Sequence, residues 1–187
     1  MTLTLANKIT IIRIMSIPFL IAAILYISPH REWLRWAAFG GYLLAEISDV
    51  VDGYIARHFR QKTRAGSILD PLADKLLFMG VLIALYKVGM DHAWPVHFPL
   101  WLVVVFIGRD VILIAGSLLL EIRTGGVEIR PNILGKMTAF LQFACVAAVF
   151  LQIRVFAWMW WGVLAVAAVS GIIYMTEGVK KLNDGHR

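Results

Sequence analysis

Four aspartates lie within a 26-residue stretch of this chain: Asp49-Val-Val-Asp52-Gly53-Tyr-Ile-Ala56-Arg57, eight intervening residues, then Gly66-Ser-Ile-Leu-Asp70-Pro71-Leu-Ala-Asp74. On a helix, Asp49, Asp52, Gly53, Ala56 and Arg57 fall at i, i+3, i+4, i+7 and i+8 and share one face. Gly66, Asp70 and Asp74 repeat the pattern at i, i+4 and i+8. Carboxylates gathered this closely repel one another, so either some hold protons or divalent cations neutralise them. No histidine or cysteine accompanies them, which disfavours zinc; an all-oxygen donor set suits Mg²⁺, Mn²⁺ or Ca²⁺. Two such ions would suit phosphoryl-type chemistry, where one clamps the attacked phosphate and the other the leaving group. Gly53 and Ala56 leave room for a ligand or a second helix to approach the backbone. A single aspartate near a helix end is ordinarily a cap or a solvated charge. That reading suits Asp49 or Asp70 alone but not four acids in register. A proton or cation pathway is the functional rival, since acids inside a bilayer also mark transport. It leaves the glycine, alanine and arginine of the stripe unexplained. A catalytically silent membrane scaffold is a third possibility.

Membrane helices are the elements expected to position these residues. The chain has 187 residues, 60% of them hydrophobic, where a water-soluble domain would be nearer half apolar. The excess sits in long runs, and a bilayer span needs about 20 largely apolar residues. Six runs qualify: Ile9–Ile27, Trp33–Ile55, Pro71–Val88, Pro99–Leu120, Ile133–Leu151 and Val155–Met175. The reading is an all-α integral membrane protein with six transmembrane helices and a single membrane domain over residues 1–187. The first run is too long for a cleaved signal peptide and no small-residue cleavage site follows it. Cys145 sits in an apolar run and reads as packing. Trp33, Trp36, Trp94, Trp101, Trp158, Trp160 and Trp161 fall near run ends, as interfacial anchors do.

The net charge of +6 is unevenly placed. Lys8, Arg13, Arg57, Arg60, Lys62, Arg64, Arg123, Arg130, Lys136, Lys180, Lys181 and Arg187 fall on one side of the expected topology; Arg31, Arg35, Lys87 and Arg154 fall on the other. The positive-inside rule then puts both termini, and the connection between the second and third spans, in the cytoplasm. Pro71 suits the first turn of a helix, so Asp70 is expected near the start of the third span. With the four cations Arg60, Lys62, Arg64 and Arg57 around the turn, the two helices run antiparallel and the aspartates converge near the cytoplasmic surface. Basic residues in short loops between spans favour anionic lipid surfaces and speak against nucleic-acid binding.

The acidic segment spells D-x2-D-G-x2-A-R-x8-G-x3-D-x3-D, which resembles the signature of the CDP-alcohol phosphotransferase family, with every fixed position present. Asn7-Lys8-Ile-Thr-Ile-Ile-Arg13 resembles the opening of that family's bacterial phosphatidylglycerophosphate synthases. Asp70-Pro71-Leu-Ala-Asp74-Lys75 resembles both those and its cardiolipin synthases. The resemblance implies a six-helix enzyme, with two divalent cations (Mg²⁺ or Mn²⁺), that moves a phosphatidyl group from CDP-diacylglycerol to an alcohol and releases CMP. It implies metal ligation by Asp49, Asp52 and Asp70, with Asp74 as the general base and also near a metal. The CDP site would be shaped by Asp49, Asp52, Gly53, Ala56, Arg57 and Gly66. It further implies a homodimer in the bacterial cytoplasmic membrane, with its active site facing the cytoplasm.

The acceptor is less sharply specified. Glycerol 3-phosphate, inositol phosphate and phosphatidylglycerol are all anionic, and Arg109, Arg123, Arg130, Lys136 and Lys75 are the basic candidates to receive one. Arg123 and Arg130 read equally as solvated loop charges, and Arg109, beside Asp110, as half of a structural ion pair. Gly108-Arg109-Asp110-Val111 resembles the cardiolipin synthase pattern, whereas the N-terminal segment and length resemble phosphatidylglycerophosphate synthase. Thr138 and Ala139 depart from the lysine and threonine usual in the latter. Glycerol 3-phosphate is the preferred acceptor and phosphatidylglycerol the alternative. Glu46 lies one turn before Asp49 and either tunes the site or bonds within the bundle. His58 reads as an interfacial loop residue, and His92 and His97 fall on the far side without a catalytic role.

Overall fold

The computed structural model describes the backbone of residues 5–58, 64–92, 94–124, 133–154 and 160–184; within these, the side chains of 5–9, 52–58, 64–71, 117–124, 133–134, 172–175 and 177–184 lie outside the described set. Among the described residues the structure is all-helical, without strands. The helices are α1 (Leu5–Leu25), α2 (Trp33–His58), α3 (Arg64–Asp91), α4 (Leu100–Thr124), α5 (Ile133–Leu151) and α6 (Trp160–Asp184), with a 3-10 turn at Pro29–Arg31. Six helices were expected, and α5 keeps the expected bounds. The others shift at their ends. α2 runs three residues past Ile55, so Ala56 and Arg57 are helical. α3 begins at Arg64, so Asp70 and Pro71 lie in its second turn and not at its start. The connection between α2 and α3 shrinks to residues 59–63, outside the described set. α6 starts at Trp160, five residues later than its apolar run, and continues to Asp184 through the polar end of the chain.

Among the described residues, no helix is long and apolar enough to cross a membrane. Among residues whose side chains are described, α2 carries Arg35, Glu46 and Asp49, and α3 carries Asp74, Lys75, Lys87 and Asp91. The expected spans are thus met as helices, with charges placed along them.

The chain divides into two compact units, Met1–His97 and Phe98–Arg187. In the first, α1 packs extensively on both α2 and α3, which touch each other less. α1 buries Thr10, Arg13, Ile17 and Ile24 along one stripe while Ile12, Met15 and Phe19 face outwards. Tyr42 of α2 and Leu77, Val81, Leu82 and Leu85 of α3 complete this core. In the second unit α6 has the corresponding role, packing on α4 and α5. Its core joins Leu102 and Phe106 to Val146, Val149 and Phe150, with Trp160 against Phe98 at a ring separation of 5.4 Å.

The far end of α3 is tied to the segment that follows α1, and its own following loop is held by a contact within it. His92 Nε2 lies 2.8 Å from the carbonyl of Ile27, and His97 Nδ1 lies 2.9 Å from that of Trp94. Both histidines are thus engaged with backbone oxygens. A Cβ added at Gly89 would stand 2.6 Å from His97 Cβ, whereas one at Gly40 meets nothing within 4 Å. Gly89→Ala should therefore overpack the loop, costing about 1–3 kcal/mol. Gly40→Ala should be neutral or stabilising, by up to about 1 kcal/mol, because a helical glycine loses more backbone entropy. Thermal unfolding of the two variants should move Tm in opposite directions, by about 2–4 °C per kcal/mol.

Candidate active site

α1 contributes a residue that the acidic signature does not contain. Arg13, whose side chain is 2% exposed, donates from Nη1 to Oδ1 of Asp49 on α2. The ion pair therefore joins the first aspartate of the stripe to the buried face of α1. An arginine in an otherwise apolar run was the available signal: such a charge must turn inwards and find a partner. Asp49 itself stays 39% exposed.

On α3, Asp74 is half-buried, 3.7 Å from the Lys75 ammonium, which also lies 5.9 Å from the centre of the Phe78 ring. Glu46 connects the two helices. It lies within electrostatic range of Asp49 on its own helix, of Asp74 and Lys75 on α3, and of the buried Tyr42 hydroxyl one turn earlier. Glu46, Asp49 and Asp74 thus share one neighbourhood, in which Arg13 and Lys75 are the described cations. Asp49 and Asp74 match these two cations one for one, and Glu46 adds a further carboxyl group to the set. An all-oxygen set of this kind is the chemistry a hard divalent cation satisfies. Among the described residues no three metal-ligating side chains are grouped tightly enough to hold an ion by themselves. Asp52, Gly53, Ala56, Arg57, Gly66 and Asp70 have helical backbones in α2 and α3, and their side chains lie outside the described set.

The second unit has its own polar cluster. Asp110 is fully buried; its Oδ1 accepts from Arg109 Nη1 at 2.7 Å and its Oδ2 from Gln142 Nε2 at 3.3 Å. Arg109 Nη2 donates to Ser170 Oγ at 3.4 Å, so α4, α5 and α6 meet through these side chains. Arg109 and Asp110 therefore form the ion pair that their adjacency allows. Arg109 Nε is buried and has no hydrogen-bond partner among the described residues. Lys136 is exposed on α5, whereas Thr138, one half-turn on, is fully buried. Arg123 belongs to α4 by its backbone, and Arg130 lies outside the described residues.

The pattern of CDP-alcohol phosphatidyltransferases matches residues 3–172, across both units and all six helices. The chain belongs to this family. Among its relatives, the CDP-diacylglycerol–glycerol-3-phosphate 3-phosphatidyltransferase of Bacillus subtilis (strain 168) is 38% identical over 160 residues, 79% of this chain and 77% of that protein. An enzyme of the same description from Pseudomonas fluorescens is 35% identical over 116 residues, 60% of this chain and 54% of its own length. The cardiolipin synthase (CMP-forming) of Rattus norvegicus is 33% identical over 127 residues, 59% of this chain and 40% of its own. Glycerol-3-phosphate phosphatidyltransferases and a cardiolipin synthase are thus both among the relatives, matching the mixed resemblance of the sequence. The match extends over α1, so Arg13 falls within the family region as the aspartates do.

Proposed function

We propose that this CDP-alcohol phosphatidyltransferase transfers a phosphatidyl group from CDP-diacylglycerol to glycerol 3-phosphate and releases CMP. The observation that carries the donor half is the family match, with the complete acidic signature placed on α2 and α3. The two relatives described as glycerol-3-phosphate phosphatidyltransferases favour the acceptor.

The proposed roles follow the chemistry of each side chain. Asp49, Asp52, Asp70 and Asp74 would hold two Mg²⁺ or Mn²⁺ ions. Bound there, the cations would offset the charge of the donor pyrophosphate and of the departing CMP. Asp74 accepts the proton of the acceptor hydroxyl, because an unassisted aliphatic alcohol is a weak nucleophile. The freed oxygen attacks the phosphorus that carries diacylglycerol, the bond from that phosphorus to the bridging oxygen breaks, and CMP departs with the electron pair. Direct in-line attack suffices, and trapping a phosphatidyl-enzyme would contradict it. Gly53, Ala56 and Gly66 let the nucleotide lie against the helices, and Arg57 offers a further cation to it. Lys136, Arg109, Arg123 and Arg130 are the proposed contacts for the acceptor phosphate.

The same reading makes the protein a single multi-pass membrane enzyme, with the site at the cytoplasmic surface of a bacterial membrane and two copies forming a homodimer. Buried charged groups beside large exposed apolar side chains support the membrane. Arg13, Arg109, Asp110 and Gln142 are buried, while Phe19 is 76% exposed and Val50, Phe140 and Trp161 about as open. Charged groups in a bilayer turn towards the protein interior, and apolar ones face the lipid.

An acceptor panel tests the assignment. Purified protein with CDP-diacylglycerol and Mn²⁺ should form phosphatidylglycerophosphate from glycerol 3-phosphate at least about tenfold faster than any product from phosphatidylglycerol or inositol phosphate, the difference given by about 1.4 kcal/mol of preference. Cardiolipin as the dominant product would shift the assignment to phosphatidylglycerol.

A further inference from the structure

We infer that Arg13 is a positioning residue for the site, holding the Asp49 carboxylate so that its second oxygen is presented to the divalent cation. The inference rests on the proposed metal-dependent reading of the aspartates. Two observations carry it. The guanidinium is almost wholly buried on α1, while the carboxylate it grips is 39% exposed. The cost of desolvation therefore falls on Arg13 and is offset by the ion pair, whereas Asp49 keeps an open side. The bond also engages Oδ1 alone and leaves Oδ2 outside it. A single-point grip of this kind orients a carboxylate without occupying it, as side chains behind a metal ligand commonly do.

The position of Arg13 in the fold suits this task. α1 packs on both of the helices that bear aspartates, so a side chain fixed on its inner stripe sets Asp49 relative to α3 as well. Thr10, one turn earlier on the same stripe, is 1% exposed, so this end of α1 is packed and the arginine is held from behind. The nearby acids are Asp49, Glu46 and Asp74, and the other described cation is Lys75. Lys75 is adjacent to Asp74 in the chain and belongs to α3. Arg13 is therefore the described cation that reaches Asp49 from another helix.

The test reads metal affinity directly. Mn²⁺ binding to the wild type, Arg13→Gln and Arg13→Lys should be measured by electron paramagnetic resonance without substrate, alongside the Tm of each protein. Arg13→Gln is expected to bind Mn²⁺ about 10–100-fold more weakly, the range seen when groups behind a metal ligand are removed. Arg13→Lys keeps the charge, loses the planar fork and should fall between. A purely structural arginine would lower Tm and leave the affinity of the folded variant unchanged, and that result overturns the inference. Tighter binding in Arg13→Gln also overturns it, because the guanidinium would then be a competitor for Asp49. If Arg13→Gln does not fold, Arg13→Lys decides, and wild-type affinity there is the contrary result. No Mn²⁺ binding by the wild type would overturn the metal reading and the inference with it, whereas wild-type binding matched by the variants overturns the inference alone.

Discussion

Asp74→Asn should abolish most CMP release while leaving the protein folded. The amide matches the carboxylate in shape but cannot accept the acceptor's proton, and a positioned base contributes about 10²–10⁴ in rate. Asp74 is half-buried and lies 3.7 Å from its sequence neighbour Lys75; because the amide has the same shape as the carboxylate, Tm should move little. The kinetic signature is a fall in kcat and in kcat/KM together, because proton removal belongs to the transition state. A fall confined to a raised KM for CDP-diacylglycerol would instead place Asp74 in donor binding. Since Asp74 and Glu46 lie within electrostatic range, Glu46→Gln is the companion variant. It should alter the rate far less, because Glu46 stands outside the signature.

The second large effect is on stability. Asp110→Ala removes the carboxylate that accepts from both Arg109 and Gln142 and leaves a guanidinium buried in the second unit without its counter-charge. Breaking one side of a buried pair costs about 3–5 kcal/mol. At about 2–4 °C per kcal/mol for a chain of this size, the apparent Tm should fall by roughly 6–20 °C. Replacing both partners, as in Arg109→Met with Asp110→Leu, should recover much of that loss, because apolar residues of similar volume substitute well for a buried ion pair. Thermal unfolding of the single and double variants checks both. The double variant should nevertheless lose acceptor affinity if Arg109 also meets the acceptor phosphate, so stability and KM for glycerol 3-phosphate separate the two roles of this residue.

The sequence is most informative where pattern and packing point the same way. α5 runs from Ile133 to Leu151 as its apolar stretch does; the sequence before it is polar, and it ends at Gln152, whose φ is 56°. α3 is different. Pro71 suggests a helix start, yet the helix begins at Arg64, although Gly66, Ser67 and Asp70 are weak helix formers and a proline disfavours a helical residue before it. That correction sets Gly66, Asp70 and Asp74 on one unbroken helix, which their i, i+4, i+8 spacing requires. Arg13 is legible as an isolated charge in an apolar run, but its partner is 36 residues away, and no local spacing rule reaches that far. The pairing of Arg109 with Asp110 is readable from adjacency. The additional bonds to Gln142 and Ser170 are not, because they depend on how α5 and α6 pack on α4.

The most direct measurement of the central claim is acceptor-dependent CMP release. Purified protein with CDP-diacylglycerol, Mg²⁺ and increasing glycerol 3-phosphate should release CMP in a saturable manner, in equal amount to the phosphatidylglycerophosphate formed, and should stop on addition of a chelator. No CMP with any alcohol acceptor, or release that continues at full rate without divalent cations, would contradict it.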